Sequence, residues 1–381
     1  MDKILENCRS PGQLIEEALK AKGWTQRVLS IVLGMDETGV NKIIGDKRPV
    51  TADMALMLEE VLGISAERFM ELQQTYDLAK ARITARPDPK RATRAQLFGG
   101  LPVTEMIKRG WLNVDNIKDV PAIETELARF FKASTIDDIE VLPHAAKKTE
   151  VVGGVTDVQL AWLYRVRQIA SELIVAKYSQ LSALSCIKKL SGLLYSREEA
   201  RKVPKILAEA GIRFVIVESL PSAKIDGVCF WLNENSPVIG MAMRYDRIDN
   251  FWFVLRHELE HVIQRHGQDK AVLDTELEGA NAGVGAEIPE EERIANRAAA
   301  DFCVPSKMMK AFVDRKSPYF SEQDILAFSS MTKVHPGLIV GQIRHITGRY
   351  NLFANHLVKI RSVVTPNAAV DGWGDVYPVE D

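Results

Sequence analysis

The sequence predicts a mainly helical protein whose last part is of the α+β class. Between residues 12 and 83, apolar residues recur at helical spacing and glycines end the segments. The helical pattern returns at 121–133 and 157–195, where Leu160, Leu163, Val166 and Ile169 fall on one face. Beyond residue 210, the pattern changes to three short strands at 212–217, 227–232 and 238–243, and the turn at 233–235 joins the last two in a hairpin.

These changes of pattern divide the chain into three parts. We expect an all-α domain at 1–83, a basic linker followed by a helical connector at 84–198, and a domain with the sheet at 199–381. Pro87, Pro89 and the Gly-Gly pair at 99–100 favour a linker in the second part, because these residues interrupt helices.

The composition of the 381-residue chain is typical of a soluble protein, with 46% apolar residues, 26% charged residues and a net charge of −2. The first residues lack a secretory signal, and no uncharged apolar run reaches the roughly 18 residues that a membrane span needs. The four cysteines are far apart and form no CxxC pair. We therefore expect a cytoplasmic protein without membrane contact, with buried thiols at Cys229 and Cys303.

Residues 26–44 have the spacing of a helix-turn-helix. Thr25 is expected to cap the first of its two helices, and Gly34 makes the tight turn between them. In such motifs the second helix enters the major groove of DNA. The residues expected near bases or phosphates are Thr38, Asn41 and Lys42, and those expected at the DNA backbone are Gln26, Lys47 and Arg48.

The charge distribution gives this DNA-binding hypothesis an alternative. Residues 1–79 contain nine basic and thirteen acidic residues, and Asp36 and Glu37 open the second helix, where they would repel phosphate. The stretch 80–109 contains eight basic and two acidic residues and would compensate. A helix-turn-helix that serves dimerisation or protein contact is therefore the alternative to one that binds DNA.

The clearest chemical motif is His257-Glu258-Leu259-Glu260-His261. Residues four apart on a helix project from one face, which is the geometry that two zinc ligands need. Glu258 stands beside the first ligand, where it would take a proton from a zinc-activated water and pass it to the leaving amine. A surface helix with solvated charges is the alternative, but the apolar run at 251–255 argues against it, since burying these side chains without a metal is costly.

A catalytic zinc site needs a third protein ligand and an open fourth position. The helix opened by Pro289 places Glu292 and Asn296 one turn apart, so that a carboxylate ligand and a polar supporting group share a face. Glu291 is the alternative ligand. Glu290 is expected to be a solvated residue at the helix start, attracted by the helix dipole.

Two family resemblances follow from these motifs. Residues 12–83, with segments 45–51 and 72–77, resemble the HigA-type antitoxin branch of the XRE-like repressors. The hairpin, the HExxH helix and the later helix that precedes Pro305 resemble the ImmA/IrrE family of bacterial metallopeptidases. The second resemblance implies a gluzincin-like fold, in which a small antiparallel sheet covers two active-site helices. It also implies Zn2+ bound by His257, His261 and Glu292, and cleavage of a regulatory protein.

The chain departs from the ImmA/IrrE pattern at two positions. Glu260 replaces a small residue and would add negative charge beside the metal, and Ile294 stands where a second glutamate is common. Among other polar residues, His266 is expected to be exposed. His335 is expected in a structural turn or, alternatively, in the substrate cleft, and Tyr245 is either an oxyanion donor or an ordinary surface tyrosine.

Together, these observations predict a bifunctional regulator. It would be a homodimer that binds a DNA operator and carries a zinc metallo-endopeptidase, whose substrate would be a repressor or a toxin-antitoxin component. The alternative is a non-catalytic antitoxin-type transcriptional repressor whose zinc domain senses a ligand or binds a toxin. A purely structural zinc domain would require a closed shell of four ligands, and the sequence offers no evident fourth ligand.

Overall fold

The structure is a computed structural model that describes residues 9–86, 88, 91–139, 155–268, 271–275, 277 and 289–379. It contains two compact units, Met1–Pro89 and Lys90–Asp381. Cys8 and His144 lie outside the described residues. Among the helices of the described residues, none combines the length and the apolar character that crossing a membrane would require.

In its described residues, the N-terminal unit has five helices: α1 Pro11–Lys22, α2 Gln26–Leu33, α3 Glu37–Ile44, α4 Ala52–Leu62 and α5 Ala66–Thr84. The predicted cap and turn residues are confirmed, because Thr25 accepts a hydrogen bond from the amide of Val28 and Gly34 has a φ of 65°. The second helix of the motif begins at Glu37, since Asp36 is its N-cap and accepts a hydrogen bond from the Gly39 amide at 3.0 Å.

The C-terminal unit begins with six helices: α6 Arg91–Gly100, α7 Val103–Lys108, α8 Val120–Phe130, α9 Asp157–Glu172, α10 Gln180–Ser191 and α11 Val203–Glu209. The segment expected to be a linker is thus helical from Arg91 onward, and Leu101, Val103 and Met106 are buried in a hydrophobic core. Some of its basic residues also belong to this packing, since Arg94 pairs with Glu124 and Arg109 donates to the Glu218 carbonyl.

The sheet has five strands: β1 Arg213–Val217, β2 Ile225–Trp231, β3 Pro237–Met241, β4 Val272–Thr275 and β5 Ala369–Asp371. Their order is β4-β2-β3-β1-β5. The prediction of an antiparallel sheet is wrong, because the sheet is mixed. Strand β1 pairs in parallel with both β3 and β5, whereas β2 pairs in antiparallel fashion with β3 and β4. The predicted hairpin β2–β3 is present, but it folds back so that β3 lies between β1 and β2.

The sheet separates two hydrophobic cores. Phe214 and Ile216 of β1 face one core, whereas Val215 and Val217 face the other, as the alternation of a strand requires. After β3, the part of this unit that the structure describes has six further α-helices: α12 Ile248–Ile263, α13 Glu290–Cys303, α14 Ser306–Lys316, α15 Glu322–Thr332, α16 Pro336–Thr347 and α17 Arg361–Val364. Helix α12 packs against the sheet and against α13.

In the described part of the chain, the cysteines Cys186, Cys229 and Cys303 form no disulfide and are buried in the interior of the C-terminal unit. The prediction of buried thiols at Cys229 and Cys303 is confirmed. Burial raises the pKa of the Cys186 thiol to about 12 and also raises that of Cys229, so both favour the neutral thiol form.

Candidate metal centre and helix-turn-helix

Helix α12 carries His257 and His261 on the face directed into the protein. Both histidines are 0% exposed, because Phe251, Trp252 and Leu259 anchor the helix in the core. Their two Nε2 atoms are 3.0 Å apart. In a tetrahedral zinc site, bonds of about 2.0 Å set neighbouring ligand atoms about 3.3 Å apart. The two imidazoles therefore converge on a common point at the spacing of two ligands of one metal ion.

Helix α13 brings a carboxylate to the same point. The Oε2 atom of Glu292 lies 3.2 Å from Nε2 of His257, and its Oε1 atom lies 3.5 Å from Nε2 of His261. The buried small residues Ala295 and Ala299 face the interior and permit close packing of α13. Glu291, the alternative ligand, is exposed and is not part of this group.

One turn further along α13, Asn296 supports the first histidine. Its Oδ1 atom lies 3.1 Å from Nδ1 of His257. An amide oxygen can only accept, so Nδ1 of His257 carries the proton and Nε2 keeps a free lone pair for a metal.

The structure adds Asp274 of strand β4 to the group. Its Oδ2 atom lies 3.4 Å from Nε2 of His257 and 3.9 Å from Nε2 of His261. One ligand atom from each of the four residues lies within 4.8 Å of the others, an arrangement that could hold a metal ion. Sequence reasoning missed Asp274, because it belongs to a four-residue strand without ligand spacing. The available signal was an acid directly after the apolar pair Val272-Leu273.

Glu258 lies on α12 beside this group and is 0% exposed. Strand β2 makes room for it at Gly227, where a Cβ atom would overlap the carboxylate of Glu258. The pairing of β2 with β4 is irregular between Ile225 and Gly227, which leaves Asp226 as an extra residue in the ladder. Such a bulge redirects neighbouring side chains, and here Gly227 is the partner of Asp274.

Two further contacts correct expectations about this helix. His266 was expected to be exposed, and this is wrong, because it is half-buried and its Nδ1 atom lies 3.0 Å from Nδ1 of His261. Glu260 does not leave an unbalanced negative charge beside the metal group. Its carboxylate accepts hydrogen bonds from Arg256 at 2.7 Å and Gln264 at 2.8 Å.

The charges of the group are unbalanced without a cation. Burial opposes protonation of His257, but the carboxylates of Asp274 and Glu292 outweigh burial and raise its pKa to about 9. Burial lowers the pKa of His261 to about 4. Burial raises the pKa of Glu258 well above its usual range, and the negative charge of Asp274 adds to this effect.

Unsatisfied atoms at the same place fit a metal. Oδ2 of Asp274 and both carboxylate oxygens of Glu258 are buried without a hydrogen-bond partner in the described part of the chain. Such atoms are costly unless a cation or a water compensates them. Two imidazole nitrogens and two carboxylate oxygens are a donor set that zinc accepts. The residues present therefore fit a divalent metal ion.

A cavity of about 780 Å³ adjoins the metal group. Asp274, Glu292 and Asn296 form part of its wall. The apolar part of the wall is contributed mainly by β4 and by helices α12, α14 and α16, with Phe253, Val272, Met309, Val313 and Leu338. An apolar cavity with a few polar groups at one end is typical of a ligand or substrate site.

His335 and Tyr245, the two other candidates from the sequence, have different surroundings. His335 is the N-cap of α16 and accepts a hydrogen bond from the Gly337 amide at 3.0 Å, as the structural-turn hypothesis predicts. Tyr245 is stacked beneath the guanidinium groups of Arg244 and Arg247. Of the described residues, neither His335 nor Tyr245 lines the cavity, whereas His345 does.

In the N-terminal unit, the residues expected to contact DNA lie on or beside the second helix of the motif. Thr38, Asn41 and Lys42 are exposed on α3, and Lys47 and Arg48 are exposed in the segment that follows it. Gln26 is half-buried at the start of α2. The carboxylate of Asp36 is engaged as the N-cap of α3.

Comparisons with known proteins concern the helix-turn-helix. The profile of a family described as helix-turn-helix matches residues 15–69. A curated relative, virulence-associated protein I of Dichelobacter nodosus, is 35% identical over 72 residues, which are 19% of this chain and 67% of that protein.

Two solved structures are also similar over 20% of this chain, each with 26% identity. One is described as an antidote protein of a plasmid maintenance system from Nostoc punctiforme, with 87% of that chain covered and a TM-score of 0.19. The other is a HigA-family addiction module antidote protein from Coxiella burnetii, with 95% covered and a TM-score of 0.17.

The family match and the relative agree with the helix-turn-helix formed by α2, Gly34 and α3. By its N-terminal unit, the chain therefore belongs to the XRE-type helix-turn-helix family.

Proposed function

We propose that the chain is a regulator that joins a DNA-binding helix-turn-helix to a zinc-dependent endopeptidase. The observation that carries the peptidase proposal is the convergence of His257, His261 and Glu292 on one point beside the buried carboxylate of Glu258. A metal group and a carboxylate acid-base beside a cavity are the parts that metal-assisted hydrolysis requires.

The residues of the site divide into binding and proton-transfer roles. His257, His261 and Glu292 would hold Zn2+, with Asn296 orienting the first histidine. A bound zinc ion supplies a Lewis acid that polarises a peptide carbonyl and lowers the pKa of water. Glu258, beside the two histidines on α12, is the acid-base candidate. Burial raises the pKa of its carboxyl group, so a positive charge nearby is needed to keep it ionised and able to accept a proton.

The cavity supports a protein substrate. Its volume of about 780 Å³ and its largely apolar wall suit several side chains of a peptide. Strand β4 is the last strand at this edge of the sheet among the described residues, and it contributes to that wall, so we propose that an extended peptide pairs with it. By resemblance to the ImmA/IrrE family, we propose a repressor or a toxin-antitoxin component as the substrate.

The proton-transfer role is tested with Glu258→Gln. Glutamine keeps the size of the side chain but cannot accept a proton, so cleavage of the cognate protein should fall by about 10²- to 10⁴-fold while zinc content stays at the wild-type value. The matched control is Glu291→Gln, since Glu291 is exposed and outside the metal group. Equal cleavage by wild type and Glu258→Gln would refute the peptidase proposal.

A second candidate function has one observation in its favour. With Asp274, the group has four donors, and a closed shell of four protein ligands is typical of a structural metal site. The chain would then be a non-catalytic repressor whose metal domain binds a toxin or a ligand. In that case the protein would cleave no target, and changes at Glu258 would have no effect on cleavage. Removal of the metal would affect repression alone.

A further inference from the structure

We infer that Asp274 is a fourth metal ligand that occupies the coordination position needed by the hydrolytic water, so that the chain is held in a latent state by its own strand β4. The ligand role requires only that the site binds metal. The latency rests on the proposed peptidase function, and the experiment below separates the two.

The first support is the position of the carboxylate. Oδ2 of Asp274 lies 3.4 and 3.9 Å from the Nε2 atoms of His257 and His261. The corresponding distances for Glu292 are 3.2 and 3.5 Å. Both carboxylates thus stand near the ligand spacing of about 3.3 Å that a tetrahedral zinc site requires. An ion held by the two histidines and Glu292 would also be within reach of Asp274.

The second support is the isolation of this oxygen. Oδ2 of Asp274 is buried and has no hydrogen-bond partner in the described residues. The Asp274 residue is 5% exposed. A buried carboxylate oxygen without a donor loses its hydration without compensation, which a bound cation would restore. A metal ion held by His257 and His261 would supply a partner for this oxygen.

The third support is the way the backbone aims the side chain. Asp274 pairs with Gly227 across the irregular part of the β2–β4 ladder. Asp226, the extra residue, accepts a hydrogen bond from the Leu277 amide at 2.8 Å and lies 3.3 Å from Nε of Arg244. The bulge is thus fixed on both sides, and it directs Asp274 toward the metal group.

The fourth support is the neighbourhood of Glu258. Any water that Glu258 activates must touch both the metal and that carboxylate. Asp274 is a near neighbour of Glu258 as well as of both histidines. Because it fills the space shared by the metal and the acid-base group, Asp274 and the water compete for one position. Displacement of a single carboxylate would then convert a closed shell into an open one.

The experiment compares cobalt-substituted wild type with Asp274→Ala and Asp274→Asn, using Glu291→Ala as the control on an exposed acid. Co2+ is the probe, because its visible absorption reports the number and type of its ligands. Loss of a ligand should change the spectrum in both Asp274 variants and weaken Co2+ binding by roughly tenfold or more, measured by chelator competition. Acetohydroxamate should alter the spectra of the Asp274 variants but not that of wild type or Glu291→Ala.

Three outcomes are decisive. Unchanged spectra and unchanged Co2+ affinity in both folded Asp274 variants would overturn the ligand role. If the spectra change and the zinc-loaded Asp274→Ala protein cleaves its target faster than wild type, the latency is supported. If the spectra change but no variant and no wild-type sample cleaves any target, the ligand role stands and the peptidase function, with the latency that rests on it, fails.

Discussion

Gly227 and Glu258 stand so close that a Cβ atom at position 227 would overlap the glutamate carboxylate. Gly227→Ala should therefore displace Glu258 without removing a metal ligand. We expect zinc content near that of wild type, a loss of cleavage approaching that of Glu258→Gln, and a fall in the free energy of unfolding of about 1–3 kcal/mol from overpacking. Metal analysis, cleavage assays and urea denaturation measure the three quantities.

The control for this variant is Gly99→Ala. No atom lies within 4 Å of a Cβ atom at position 99, which is in helix α6 of the same unit. Alanine there should leave both cleavage and metal content unchanged and should not destabilise the fold, since alanine is the better helix former. Equal cleavage by Gly227→Ala and Gly99→Ala would contradict the conclusion that Gly227 leaves the room that Glu258 needs.

The metal ligands make a prediction with an internal comparison. His257→Ala, His261→Ala and Glu292→Ala should each lose most of the bound zinc, because the remaining groups compete poorly with water and buffer. Glu291→Ala should retain it. Elemental analysis of the purified proteins checks this. Full zinc occupancy in either histidine variant, or loss in Glu291→Ala alone, would contradict the assignment of ligands.

Asn296 should influence metal affinity without contacting the metal. Its Oδ1 atom lies 3.1 Å from Nδ1 of His257 and accepts the hydrogen bond from that nitrogen. Asn296→Ala should weaken zinc binding by about 10- to 100-fold, as measured with a competing chelator. Asn296→Asp keeps an acceptor and should recover most of the affinity. If the two variants bind zinc equally, the orientation of His257 does not depend on this contact.

A stability prediction concerns the other side of the sheet. Asp371 is 0% exposed and binds Arg165 Nη2 and Trp111 Nε1, each at 2.6 Å. Asp371→Asn removes the charge that Arg165 needs, and the uncompensated guanidinium should cost roughly 3–5 kcal/mol of the free energy of unfolding. Asp375→Asn, at an exposed position nearby, is the control and should unfold at the wild-type urea concentration.

Local patterns explain which parts of the fold and site were predictable. His257 and His261 are four residues apart on one helix, and Glu292 and Asn296 are four residues apart on another. Helical spacing alone therefore puts each pair on a common face. The caps at Thr25 and Thr51 were predictable for the same reason, since each accepts from an amide three residues away.

Long-range pairing explains what the sequence did not reveal. Strand β5 has three residues and β4 has four, too few for an alternating pattern. The parallel pairing of β1 with β3 depends on how the hairpin folds back, which no local signal sets. Asp274 reaches the histidines only because β4 pairs with β2 at Gly227. The helical packing of 91–108 was missed because the Gly-Gly pair at 99–100 and the nearby prolines were taken as helix breaks, although Leu101, Val103 and Met106 are buried.

The last prediction concerns DNA. Asn41 and Lys42 are exposed on α3, where an amide can read a base edge and an ammonium group can contact a phosphate. With a duplex selected by wild type from a random pool, both Asn41→Ala and Lys42→Ala should bind more weakly. Only Lys42→Ala should also reduce the slope of log affinity against log salt, by about 0.9 for one lost phosphate contact. Asn41→Ala should cost about 1–3 kcal/mol on the selected duplex and little on random DNA, because base contacts carry specificity. Lys22→Ala, at the C-terminal end of α1, is the control for charge alone. Unchanged affinity in both α3 variants would mean that the helix-turn-helix serves dimerisation or protein contact. The excess of acidic residues in this unit would then have indicated its function correctly.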